Sequence, residues 1–193
     1  MKNNDTKQKI IETGSEIILA KGYNATGLQA ILTAAGVPKG SFYYYFRSKE
    51  DFGVAIVEYY GRINFDITMS VYNDQNLSPK QKLNKLFILG RDYRAQHGCN
   101  AMCLIGNLGT EMAKASEAIR IAMKKEAERQ VKVIAGIIAE AQAQGEISST
   151  HSPQSLAEFI GAAWQGALTS MQINQDIKPL DIFLEQIFDN LLA

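Results

Sequence analysis

Five rings in a row, Phe42-Tyr43-Tyr44-Tyr45-Phe46, lie between Lys39-Gly40-Ser41 and Ser48-Lys49-Glu50. These residue types suit contact chemistry rather than bond-making. A phenol offers an apolar ring to thymine methyls or sugars and a hydroxyl to a phosphate oxygen. Lys39 and Ser41 can reach base edges or phosphates, and Gly40 removes a side chain where backbone must come close. Lys49, with the backbone N–H groups that follow it, can hold a phosphate. On a helix turning about 100° per residue, Phe42 and Phe46 share a face, expected to pack on Ile17, Ile31 and Leu32. Tyr44 points the opposite way, and Tyr43 and Tyr45 flank it. The reading is anchoring phenylalanines and outward tyrosines.

A second group is His97, Cys99 and Cys103. Cys103 is either a small core residue or a reactive thiol. A sensing thiol needs exposure and a lowered pKa, which Arg94, His97 and a following helix start can supply, whereas Met102, Leu104 and Ile105 make its surroundings apolar. A closed zinc site needs four ligands, and the fourth is lacking beyond the distant His151 or an acid. A Cys99–Cys103 disulfide needs Cα atoms within about 7 Å, which helical spacing nearly allows. No nucleophile motif or glycine-rich phosphate loop accompanies these residues, so a thiol-dependent enzyme fits poorly. No metal and no cofactor is expected.

The elements that must position these groups are helical throughout. Ile10, Ile11, Ile17, Ile18 and Leu19 mark one face of a helix over about residues 5–21, ended by Gly22. A short helix over 27–35 follows, with Thr26 as its expected N-cap. The turn Ala35-Gly36-Val37-Pro38 leads to a third, very short helix over 39–46. Ser48 is expected to cap a long helix to about residue 71. Ser78-Pro79 and Ser152-Pro153 are cap-then-proline starts, Ser116 caps a helix ending at Gly145, and Pro179 opens the last helix. Residues 99–112 read as a loop or short helix. No alternating strand pattern appears. The fold class expected is all-α with about nine helices. A helix-turn-helix head over residues 1–47 precedes a larger helical domain over 48–193.

Composition agrees with such a split. The 193 residues are 46% hydrophobic with formal net charge zero. Residues 1–50 nevertheless carry about +3 and the rest about −3. A basic head suits a partner that is negative at one end. No apolar run approaches about 18 residues, and the start MKNNDTKQK leads into an amphipathic pattern, so a cytoplasmic protein without a membrane span is expected.

The segment Thr26–Ile31, the run Ala34-Ala35-Gly36-Val37-Pro38-Lys39-Gly40-Ser41 with the five rings, and Ser48-Lys49-Glu50 together resemble the DNA-binding domain of TetR-family transcriptional regulators. The resemblance covers about residues 7–56. It implies a double-stranded DNA operator contacted by Thr26, Gln29, Lys39, Gly40, Ser41, Tyr43, Tyr44, Tyr45 and Lys49. Two departures are Tyr45, where the family often has His, and Gly27, where a hydroxyl residue is frequent. The resemblance further implies a homodimer that reads a near-palindromic site and is released by a small-molecule inducer. Small residues at 161–163, 166 and 167 and an apolar stripe from Leu180 to Leu192 supply the expected dimer surface. The family's cavity places Phe65, Met69, Tyr93, His97, Cys103, Asn107, Trp164, Gln165 and Met171 around the ligand. The segment Cys103-Leu104-Ile105-Gly106-Asn107-Leu108 resembles a branch in which some members respond to oxidants or electrophiles through this cysteine, although Met102 stands where that branch usually has glycine. Control by oxidation or alkylation of Cys103 is the alternative to a bound inducer.

Overall fold

A computed structural model describes residues 2–99 and 104–193, with side chains from Asp5 onward. Cys103 and its thiol, zinc and disulfide readings lie outside the described residues. The fold is all-α, with α1 (Lys2–Lys21), α2 (Leu28–Ala35), α3 (Lys39–Tyr45), α4 (Lys49–Tyr72), α5 (Pro79–His97), α6 (Leu104–Met112), α7 (Glu117–Ala143), α8 (Pro153–Asn174) and α9 (Lys178–Glu185). The last turn widens into a π-helix over Gln186–Leu191. No helix among the described residues is long and apolar enough to cross a membrane.

Serine caps set the starts of α4, α5, α7 and α8. Ser78 Oγ accepts from Gln81 N, and the Gln81 side chain accepts from Ser78 N at 2.9 Å, with Pro79 as first helical residue. Ser152 Oγ accepts from Ser155 N ahead of Pro153. Ser48 Oγ accepts from Asp51 N at 3.0 Å, and the Asp51 carboxylate accepts from Arg47 N. Ser116 Oγ accepts from Ile119 N. One expected cap is corrected. Gly27, not Thr26, precedes α2 and makes no side-chain cap. Thr26 instead donates its hydroxyl back to the Gly22 carbonyl at 2.7 Å.

The chain forms two compact units that differ from the expected division at residue 47. Unit 1 comprises Met1–Ile63 with Cys103–Glu126, and unit 2 comprises Asn64–Met102 with Ala127–Ala193. The reason is packing. Leu104, Leu108 and Met112 of α6 and Ile119 of α7 join Ile10, Ile18, Ile31, Phe42, Phe46 and Phe52 in one core. At the centre of that core stands Phe52, with Phe42 at 5.6 Å and Phe46 at 5.0 Å between ring centroids. α1 makes room for it at Gly14, where a Cβ would stand 2.3 Å from the Phe52 ring.

Tyr23 ties the loop after α1 to its surroundings. Its hydroxyl donates to the Lys49 carbonyl at 2.8 Å, and Lys49 Nζ donates to the Tyr23 carbonyl at 2.7 Å. The Glu111 carboxylate on α6 accepts from Tyr23 N at 3.1 Å and Asn24 N at 2.9 Å. Ser116 donates to the Glu50 carboxylate, a third bond between the later segment and the earlier one. Unit 2 has its own core. Phe87, Trp164 and Phe183 pack ring against ring at 5.0–5.3 Å, within an apolar set that includes Leu83, Ile137 and Ile160.

Two outcomes follow for unit 1. Phe46→Ala should lower unfolding stability by about 3–5 kcal/mol, read by urea denaturation, while Tyr44→Ala should change it by less than about 0.5 kcal/mol. Burial, then the Glu50 charge, pushes the Tyr23 phenol up from 10.0 to about 12. Its protonated form is therefore favoured in the folded state. That contribution is complete below pH 10 and is lost as pH rises from 10 through 12. Tyr23→Phe should flatten the stability decline across that window while costing about 1 kcal/mol at neutral pH for the lost hydrogen bond.

Candidate nucleic-acid interface

α2 and α3 are joined by a turn closed by backbone. Gly36 adopts φ +63°, its N–H donates to Thr33 O, and Val37 N donates to Leu32 O at 2.9 Å. This double closure is the Schellman arrangement that a left-handed glycine permits. Pro38, extended at φ −60° and ψ 145°, then starts α3, and Phe46 leaves it with extended backbone.

The geometry divides the five rings as their helical spacing demands. Phe42 and Phe46 are buried, and Tyr43 and Tyr44 are 57% and 70% exposed. Tyr45 is half-buried, edge-on to Tyr44 at 4.9 Å. Gln29, Lys39 and Gly40 are exposed and Ser41 is half-buried. A Cβ at Gly40 would meet nothing within 4 Å, so packing within the chain does not require glycine there. Leu28, Leu32 and Phe42 floor a cleft of about 150 Å³ between α2 and α3, rimmed by Gln29, Lys39 and Tyr43. Gln29 Nε2 donates to Thr33 Oγ1 at 3.3 Å along α2.

Two expected contacts are placed differently. Thr26 is 1% exposed with its hydroxyl engaged, so its side chain does not face a phosphate. Lys49 is half-buried, bonded to the Tyr23 carbonyl and lying 4.4 Å over the Tyr23 ring. Burial lowers its ammonium below the usual lysine value, partly opposed by Glu111. Its ammonium thus latches the loop after α1 to the start of α4. Lys7, which no motif marked, places its ammonium 5.6 Å over the Phe46 ring and brings a cation of α1 beside the end of α3. Nor did any motif mark Tyr23 or Glu111, whose bond spans 88 residues of sequence.

The ligand candidates are scattered in exposure. Phe65 and Met69 are half-buried on α4, and the Arg129 guanidinium lies 4.3 Å over Phe65. Tyr93 and His97 face solvent and stack on each other at 4.2 Å. Trp164 is packed between Phe87 and Phe183, Met171 is fully buried, and Gln165 is half-buried. Asn107 lies on α6 in unit 1, whereas the other described candidates lie in unit 2. Neither the α2–α3 cleft nor the larger groove of unit 2 is lined by any of them.

That larger groove, of about 530 Å³, runs between α8 and α9 and includes Phe159, Ala163, Ala167, Ile182 and Leu191. The expected apolar stripe of α9 is largely used inside the subunit, since Leu180, Phe183, Ile187, Phe188 and Leu192 are buried. Phe159 and Ile182 are left 57% and 47% exposed.

Comparison with known proteins agrees with this arrangement. Residues 10–56 match the family of bacterial regulatory proteins of the tetR type, and residues 79–187 match the tetracyclin repressor-like C-terminal domain. The transcriptional regulator AcuR of Cereibacter sphaeroides is 38% identical over 91% of this chain and 80% of its own. The HTH-type transcriptional repressor DhaR of a Mycobacterium species (strain GP1) is 35% identical over 100% of this chain and 95% of its own. A solved regulatory protein TetR from Rhodobacter sphaeroides superposes with a TM-score of 0.90 at 36% identity, over 96% of this chain and 98% of its own. With a helix-turn-helix built on α2 and α3 and both segments matched, this chain belongs to the TetR family of bacterial DNA-binding transcriptional regulators.

Proposed function

We propose that this chain is a homodimeric repressor that holds a near-palindromic operator through α3 and is released when a small molecule binds unit 2. The observation that carries the DNA-binding part is the division of the rings. Phe42 and Phe46 fix α3, and Tyr43 and Tyr44 are held outward, both largely exposed. Around them, Gln29, Lys39 and Gly40 present two polar side chains and a bare backbone. A recognition helix of this kind lies in the major groove with its N-terminal residues toward base edges. Lys39 and Lys7 bring positive charge, the tyrosine hydroxyls suit phosphate oxygens, and Gly40 lets the α3 backbone approach the duplex.

Dimerisation through the α8–α9 groove fits its lining. Exposed Phe159 and Ile182 are an apolar surface that a second copy would bury, and Ala163 and Ala167 permit close helix approach. Two copies would then read half-sites about 34–36 Å apart. A ligand weakens operator binding only to the extent that it prefers the other conformation.

Selecting bound fragments from random duplex DNA should recover an inverted repeat. On that operator Tyr44→Ala should weaken binding by about tenfold or more with unchanged melting, and Lys39→Ala should reduce the salt slope by about 1. Failure to enrich any sequence would overturn the reading. Phe159→Glu should convert the dimer to monomer by light scattering and remove operator binding. A dimer that persists would place the interface elsewhere.

A further inference from the structure

We propose that the Arg94 guanidinium anchors a carboxylate-binding subsite in unit 2, and that the inducer is a small organic acid gripped there. This rests on the ligand-released repressor reading. Arg94 stands in the last turn of α5 and is 8% exposed. Its Nη1 donates to the Gly90 carbonyl at 2.7 Å. Its Nε is buried and has no hydrogen-bond partner among the described residues. Among the described residues it forms no ion pair, whereas the better-exposed Arg91, three residues earlier, is paired with both Asp92 and Asp181. This inverts the usual order, in which buried cations are the ones that find a counter-charge.

What surrounds Arg94 instead is aromatic. The Trp164 indole lies 5.6 Å from its guanidinium carbon, backed by Phe87 and Phe183. Gly90 lets that ring come close, since a Cβ there would stand 2.9 Å from it. An indole face attracts the cation but answers none of its N–H groups. The unanswered Nε and the neighbouring Nη form the planar edge that matches two carboxylate oxygens. A neutral ligand would leave the charge uncompensated, and the aromatic walls suit a short hydrocarbon tail. Nε is closed over in this state, so entry requires the Trp164 side to give way. The unpaired charge favours that opening when an acid is present.

Trp164 is the chain's one tryptophan, so its emission reports this subsite alone. The full-length protein would be titrated with acetate, butyrate, hexanoate, butyramide and methyl phosphate, following fluorescence. Butyrate and hexanoate should give a saturable change, with butyramide at least about tenfold weaker. Arg94→Met should abolish the response while keeping operator binding and an equal or higher melting temperature. Arg94→Lys, which keeps the charge but not the fork, should weaken it and serves if the Met variant does not fold. No saturable change with any carboxylate, an equal response to butyramide or methyl phosphate, or a full response in either variant would overturn the proposal. A parallel gel shift separates the two levels. Protein that binds the selected operator yet ignores carboxylates refutes the subsite alone, and protein that binds no operator refutes the repressor reading.

Discussion

Seven residues of helix do not hold their shape in water, because nucleation outweighs so few hydrogen bonds. α3 therefore depends on the edge-to-face packing of Phe42 and Phe46 against Phe52. Each ring contributes about 1.5–3 kcal/mol by leaving water, and together they fix the helix in rotation as well as position. Once two of five consecutive rings are committed inward, the pitch of the helix leaves the others no choice of direction. The dependence extends backward along the chain. Phe52 occupies its place only because Gly14 has no side chain. A methyl group on α1 would thus displace the anchor of α3 without touching it.

Much of this was legible in the sequence, and the reasons are local. Serine-proline pairs, the left-handed glycines and the 3.6-residue spacing of apolar side chains act within one or two turns. Helix starts at Pro79 and Pro153 and the burial of Phe42 and Phe46 accordingly agree with expectation. Where the expectation failed, a competing partner decided. Thr26 has the right type for a cap, but the Gly22 carbonyl claims its hydroxyl. Lys49 has the right charge for a phosphate, but the Tyr23 carbonyl and ring claim its ammonium. The apolar stripe of α9 gave no sign of which residues would be used inside the subunit, because periodicity marks a buried face without naming what buries it. Candidate ligand residues were drawn from resemblance and from no spacing, and their unequal exposure is in keeping with that origin.

The polar bonds that close unit 1 contrast with the environment of Arg94 in unit 2. In unit 1 the polar side chains that tie α6 and α7 to the helix-turn-helix are committed. The Glu111 carboxylate answers two backbone N–H groups, and Ser116 accepts one bond while donating another. Such satisfaction makes for a head that keeps one shape, as a reader of base edges requires. Unit 2 holds a buried guanidinium whose Nε has no partner among the described residues. A packed domain that retains such a group forgoes stability that an apolar side chain would supply.

The bonds from Glu111 to Tyr23 and Asn24 also bear on the order in which the protein is made. The core that holds α1, α2 and α3 is finished by Leu104, Leu108, Met112 and Ile119. A ribosome that has just completed Ile63 has produced the whole helix-turn-helix but not the apolar side chains that close over it. At about 5–20 residues per second, the stretch up to Glu126 takes about 3 to 13 seconds more. During that interval the apolar floor on which α6 will lie is open to other chains. The DNA-reading head is thus among the first parts synthesised, yet its core closes only after α6 and the start of α7 have followed.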